Sequence, residues 1–319
     1  MTRLPEIARI NEDSAGWGFF LCARKDVRTG RDGRAFISLM LQDASGRLPA
    51  KIFENIETLR DEFEAGEFVK VEGRGNRHYD KTELLLERIR RVNVQQDRGD
   101  GFREDACIPS APRPVEEMWR ELEGRIAAAS NPWIRQLLSA IVGQHGERLR
   151  TWPAAVTVHH AYRGGLLEHI LKLAEVGHAV AAAYGADTDM MLAGAVLHDI
   201  GKLEELQYDG ITSYSRQGNL IGHITIGVTM VREAAAAIDG FPADLRTRIE
   251  HLVVSHHGER ELGSPVEPMT EEAFILSAID DLDARLHQFR RHVAVDGGDG
   301  EFTAYHPRLG RVLLKPSGR

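Results

Sequence analysis

Cysteine is scarce in this chain. Cys22 and Cys107 stand far apart and neither has a CxxC partner, which excludes a disulfide framework and a thiolate metal site and leaves two reduced, structural thiols. Long apolar runs are missing too: no stretch approaches the roughly 18 residues that span a bilayer, and the opening MTRLPEIARINED lacks the charged-then-apolar layout of a signal peptide. A cytoplasmic protein with no membrane partner is the expectation. Positive charge is in deficit, with 40 Lys and Arg against 48 Asp and Glu for a net charge of -8. That balance excludes a protein that holds nucleic acid mainly through a basic coat, which needs clustered cations. Internal repeats and low-complexity tracts are also absent.

What is present is apolar material and histidine. In 319 residues, 42% of them apolar, there is room for two ordinary cores. The acidic excess lies beyond residue 95, where carboxylates can serve cations. Nine of the 14 histidines fall between His159 and His257. Imidazole suits transition metals, so this crowding favours a metal site before any motif is examined.

Periodicity divides the chain. From Gly16 to about Val94, GWGFFLCARKDV, RAFISLMLQD, RLPAKIFE and EFVKVEGRGNRHYDKTELLLERIRRV alternate apolar and polar residues, with TGRDG and DASG as turns. Five strands is the natural count. Between the third and fourth, Ile56, Leu59 and Phe63 recur at helical spacing and predict one short helix. Three strands, a helix and two strands is the order of a five-stranded OB-fold β-barrel, assigned to residues 1–95. Residues 96–114 hold Gly, Pro and charge without a period, the composition of a linker. From Val115 helical patterns dominate, several apolar on most sides, and predict an all-α bundle over residues 115–300 with a tail at 301–319. Short hairpins are expected near Tyr208–Tyr214 and Glu301–Leu314.

Metal-ligating side chains recur through the helical region: His169, the doublet His198-Asp199, His223, the pair His256-His257, and Asp280. His198 and Asp199 end the apolar run MLAGAVL, and burying an imidazole beside a carboxylate costs several kcal/mol unless both are paired or bind a cation. Neighbours on a helix point roughly 100° apart, so the doublet suits a carboxylate shared between two ions, with histidines on each, better than chelation of one. Two-metal sites of this kind hydrolyse phosphodiesters by in-line attack. Asp199 and Lys202 are the candidate catalytic residues. Lys202, four residues beyond His198 and on the same helical face, can neutralise a phosphate oxygen. His159, His160, His178 and His251 read as packing or surface residues, and Glu168 as a neighbour rather than a ligand.

The series H, HD, H, H, D with HDIGK resembles the HD superfamily of metal-dependent phosphohydrolases, an all-helical fold. More narrowly, VHHAYRGGLLEHIL, VLHDIGKLEEL, GHITIG, LVVSHHG, GSPVEP and DDLDARL resemble the YhaM-type 3′→5′ exoribonucleases, which also carry an OB-fold ahead of the HD domain. The resemblance covers nearly the whole chain, in motif between His159 and Leu286 and in architecture before it. It implies that His169, His198, Asp199 and Asp280 hold one metal ion, with Asp199 shared, and that His223 with His256 or His257 completes a second position. It also implies divalent metal cofactors, two in number, manganese first, with iron, cobalt, zinc and magnesium as alternatives.

An OB barrel grips single strands by stacking bases on aromatics and tracking the backbone with Lys and Arg. The aromatic candidates are Trp17, Phe19 or Phe20, Phe36, Phe53 and Tyr79, interleaved with Arg24, Lys25, Arg34, Lys51, Arg74, Arg77 and Lys81. Alternation assigns Phe20, Phe36 and Phe53 to the core, which leaves Trp17 and Tyr79 as exposed platforms beside Arg34, Lys51 and Arg77. The expected partner is single-stranded RNA, with single-stranded DNA as a second candidate and a homo-oligomer left open. Two other readings stay in play: an HD phosphohydrolase of nucleotides or cyclic dinucleotides, and a non-enzymatic OB-type binding protein with a structural HD domain.

Overall fold

The computed structural model describes residues 2–30, 32–78, 81–156 and 160–316. The chain falls into two units, one of Met1–Ser110 with Asp209–Ile211, the other of Ala111–Tyr208 and Thr212–Arg319.

The first unit is a closed five-stranded barrel. Strands β1 (Ala15–Thr29), β2 (Ala35–Asp43), β3 (Gly46–Ile52), β4 (Phe68–His78) and β5 (Lys81–Arg91) close in the order β1-β2-β3-β5-β4. All neighbours are antiparallel except β3 and β5, which pair in parallel through Ala50–Ile52 and Leu84–Leu86. Helix α1 (Ile56–Leu59) stands between β3 and β4, so the strand count and the position of the helix follow the expected OB order. Alternation sends Phe20, Leu39, Leu41, Ile52, Val69, Val71 and Leu84 inward. Phe63, just after α1, is fully buried among them. The Lys25 ammonium sits 4.2 Å from the Phe63 ring centre and donates to the carbonyls of Leu59, Arg60 and Phe63. Lys25 therefore satisfies the end of α1 instead of facing a ligand.

Residues 96–110, whose composition reads as linker, pack into this unit. They hold the end of α2 (Val94–Asp97) and all of α3 (Glu104–Cys107). Asp97 is buried and binds both guanidinium nitrogens of Arg90 at 2.7 Å. The Phe102 ring meets the edges of Phe19 and Phe68. Single anchors of this kind leave no period in the sequence.

The second unit holds α4 (Val115–Ala128), α5 (Pro132–Thr151), α6 (Gly165–Tyr184), α7 (Thr188–Leu197), α8 (Lys202–Glu205), α9 (Arg216–Ile221), α10 (His223–Ala236), α11 (Ala243–Ser255) and α12 (Glu271–Val295). The side chains of Asn131, Asp187, Ser215 and Thr270 cap α5, α7, α9 and α12 by accepting first-turn N–H groups. A hairpin of β6 (Leu206–Tyr208) and β7 (Thr212–Tyr214) follows α8, where one was expected. The tail also turns back on itself, through bridges Phe302–Leu314 and His306–Arg311, with Thr303 and Leu313 buried. Helix α7 is buried nearly all round, from Met190 to Leu197. With no polar stripe to face water, it lies at the centre of the bundle, and its last turn delivers His198 and Asp199 there.

Candidate metal centre

Five elements bring one histidine-rich site together. His169 comes from α6, His198 and Asp199 from the end of α7, His223 opens α10, His256 and His257 follow α11, and Asp280 lies on α12. Gly201 makes the approach of α10 feasible. A Cβ there would stand 2.0 Å from the His223 carbonyl oxygen and 2.7 Å from the Gly227 nitrogen, so any side chain would push α10 and its histidine away from the α7 end.

Each imidazole is oriented from behind. Nδ1 of His198 faces the carbonyls of Gly194 and Ala195 at 3.2 and 3.1 Å, and Nδ1 of His256 faces that of Val253 at 2.7 Å. Nδ1 of His257 faces the Leu262 carbonyl at 2.9 Å. For His169 the partner is Asp283 Oδ2 at 2.8 Å, and for His223 it is Glu205 Oε1 at 2.9 Å. Carbonyl and carboxylate oxygens only accept, so all five rings donate through Nδ1 and turn Nε2 toward the centre.

The converging atoms form two groups about a single carboxylate. His169, His198 and Asp280 offer ligand atoms within 4.8 Å of one another, and so do His223, His256 and His257. Asp199 Oδ2 lies 3.3 Å from His198 Nε2 and 3.8 Å from His169 Nε2. Its Oδ1 lies 3.6 Å from His223 Nε2 and 3.7 Å from His256 Nε2. The structure thus brings all seven candidate ligands together, and both members of the His256-His257 pair join the same group.

Three of these atoms test whether a cation fits. Asp199 Oδ1, His223 Nε2 and His256 Nε2 are buried without a hydrogen-bond partner among the described residues. Buried polar atoms left unpaired cost on the order of 1–3 kcal/mol each, and three that point at one another are satisfied by a divalent cation. A donor set of imidazole nitrogen with carboxylate oxygen suits manganese, iron, cobalt or zinc.

The electrostatics run the same way at every shifted ligand except His169. Burial pushes the Asp199 carboxyl up, but Lys202, His198 and His223 outweigh it and hold it well below the usual carboxylate range. Asp280 is likewise held low, against burial, by its bond to His169. Burial drives His256 well below the ordinary histidine value and lowers His257 as well. A neutral ring with its lone pair inward is the state a metal ligand needs. In His169 burial is outweighed by Asp280 and Asp283, and its value rises to about 9. The Lys202 ammonium sits 2.6 Å from Asp199 Oδ2, so in this structure it pairs with the shared carboxylate.

Three supporting residues were not singled out by the sequence reading. Asp283 orients His169, Glu205 orients His223, and His160 lies between two carboxylates, Nδ1 at 2.9 Å from Glu168 and Nε2 at 3.1 Å from Asp283. His160 is buried, which agrees with the packing alternative expected of it, and its ring is hydrogen-bonded on both sides. Asp283 had a signal: it sits three residues after Asp280 on a helix, hence on the same face. Of the histidines set aside, His178 is exposed, His251 accepts from the Met269 backbone N–H, and His159 lies outside the described residues.

On the barrel, Trp17 is half-buried with Lys70 over its ring at 4.7 Å. Arg34 is exposed near Asp32, Lys51 pairs with Glu83 at 2.7 Å, and Arg77 is exposed on β4. Tyr79 lies outside the described residues. Phe20 is core as expected, but Phe36 and Phe53 are not: Phe36 is half-buried and Phe53 57% exposed, their rings stacked with centroids 5.5 Å apart. The register explains the correction. Ile37 pairs with Ile52 and both face inward, so the residue before the first and the residue after the second turn to the other face.

The HD domain family model matches residues 166–285. The 3′-5′ exoribonuclease YhaM of Bacillus subtilis (strain 168) is 35% identical over 82% of this chain and 82% of its own length. That of Geobacillus sp. (strain WCH70) is 31% identical over 90% of each. Among solved structures, the second OB-fold domain of replication protein A from Methanococcus maripaludis is similar over 29% of this chain and 96% of its own. Its identity is 18% and its TM-score 0.24, too low to add to the strand order described above.

Proposed function

This chain belongs to the YhaM family of 3′→5′ exoribonucleases, and from that premise we propose that it shortens single-stranded RNA from the 3′ end with two divalent cations held in its HD domain. One observation carries the reading: two imidazole groups face the two oxygens of one buried carboxylate, with three buried atoms left unpaired between them.

His169, His198, Asp280 and Asp199 Oδ2 would hold one cation, and His223, His256, His257 and Asp199 Oδ1 the other, with manganese as the candidate metal. Bound there, such cations supply Lewis acidity toward a phosphodiester and make water nucleophilic near neutral pH. Asp199 joins the two halves and fixes their separation. The Nδ1 contacts hold every Nε2 on target, so none of the ligand geometry has to be recovered at each turnover. Lys202 carries a positive charge at the edge of the shared carboxylate, where it can offset charge gathering on the phosphate.

In the barrel, the Phe36–Phe53 stack is the best platform for a base, with Lys51 and Arg34 nearby in sequence to track the backbone. Trp17, packed on Phe19 and covered by Lys70, is the weaker platform. The nearly balanced charge of residues 1–95 favours this stacking mode over a basic coat.

The test is digestion of labelled oligoribonucleotides blocked at either end, with manganese and with a chelator. The 5′-blocked strand should shorten stepwise with manganese only, and the 3′-blocked strand should persist. Equal digestion of both would count against the proposed direction.

A further inference from the structure

The segment that leads into α6 is folded under constraint. His160 has φ 50, one of two non-glycine residues in the left-handed region among the described residues. A histidine persists there only when its surroundings over-determine it. Those surroundings are specific. The His160 carbonyl accepts from the N–H groups of Ala154 at 3.0 Å and Tyr162 at 2.9 Å. Gly165 packs so close that an added Cβ would stand 2.0 Å from that same oxygen. The ring is buried and spans two carboxylates: Nδ1 lies 2.9 Å from Glu168 Oε2 and Nε2 lies 3.1 Å from Asp283 Oδ2. The Tyr162 hydroxyl donates to Glu168 and so closes the far side. Asp283 Oδ2 is the same atom that receives His169 Nδ1 at 2.8 Å.

We propose that His160 is a positioning residue of the metal centre: its left-handed backbone places the ring between Glu168 and Asp283, and it thereby fixes the carboxylate that aims His169. The inference rests on the metal-centre reading above and deepens it, because it separates the two cation positions. Of the two candidate cation positions, His169 faces the one it shares with His198 and Asp280, and the hydrogen bonds of the His160 ring go to Glu168, Tyr162 and Asp283 on that side. Loss of the His160 ring lets the Asp283 carboxylate turn, frees the His169 ring to rotate, and loosens one position alone.

The experiment is manganese titration of the full chain by calorimetry, with the paramagnetic resonance of the bound ion as a second readout, on the parent, His160→Asn and His160→Gly. Asparagine and glycine both accept the left-handed backbone, so both variants should keep the fold, with a melting temperature of the metal-free protein lowered by loss of the buried ring and its two bonds. In both variants one of two positions should weaken roughly 10- to 100-fold while the other keeps its affinity. The KM for an oligoribonucleotide should stay unchanged, and kcat should fall at limiting manganese and recover in excess. Unchanged affinity at both positions overturns the proposal, as does equal weakening of both. A parent that binds two manganese ions yet digests no RNA would end the exoribonuclease reading and leave this one standing. A parent that binds none would end this one.

Discussion

Asp199 is the residue on which the site turns, because each of its oxygens faces a different imidazole group. Asp199→Ala should abolish hydrolysis, read as the disappearance of shortened products, and leave oligonucleotide affinity nearly intact. A variant that digests at the parental rate would sink the assignment of the site. Asp97 makes a second prediction, for the barrel. Its bonds to Arg90, then to the Asn93 N–H and to Lys70, outweigh burial and hold its value at about 2, below the ordinary 3.8. A carboxyl depressed by folding stabilises at pH above its ordinary value, and that contribution is lost as pH falls from about 4 through about 2. Asp97→Asn should therefore cost about 2 kcal/mol at neutral pH. It should also flatten the acid loss in that window, as measured by denaturant unfolding across pH.

At the scale of elements, the strand register decides which aromatics meet a ligand. Ile37 and Ile52 face the core as a pair, so Phe36 and Phe53 share the outer face and stack. Phe53→Ala should weaken binding of a long oligoribonucleotide by roughly 1–3 kcal/mol, the worth of one base stacked on an aromatic. Cleavage of a dinucleotide should stay unchanged. Equal losses on both substrates would show that the pair does not grip the strand. The same comparison marks what was legible in the sequence. The strands and the helices appear as periods of two and 3.6, and the His198-Asp199 doublet stands out because charge ends an apolar run. The face of Phe36 and Phe53 needed a register that one strand alone does not specify. Residues 96–110 read as linker because Asp97, Phe102 and Cys107 anchor singly, without a repeat. Glu205 and His160 act through partners distant in sequence, Glu205 on His223 and His160 on Asp283, and no local pattern announces either.

On the scale of the whole molecule, each unit has its own apolar core, one around Leu39 and Val71, the other around Leu137 and Val196. Both imidazole groups found among the described residues lie in the helical unit, so metal should stabilise that unit and not the other. Manganese at 100 times its Kd adds about 2.7 kcal/mol to the state that binds it. Chelation should lower the melting transition of the helical unit and leave that of the barrel in place, as followed by calorimetry. If both transitions fall together, the metal lies elsewhere.

The rear contacts of the imidazoles bear on kinetics as well. Main-chain carbonyls choose the tautomer of His198, His256 and His257, so the choice is written into the helix ends and needs no ion to enforce it. At His256 and His257, which burial keeps neutral, the lone pairs already stand in place and little rearrangement is left to perform. Capture of a metal on that side should then run at the pace at which the incoming aqua ion sheds its water, whereas on the other side His169 must first release a proton.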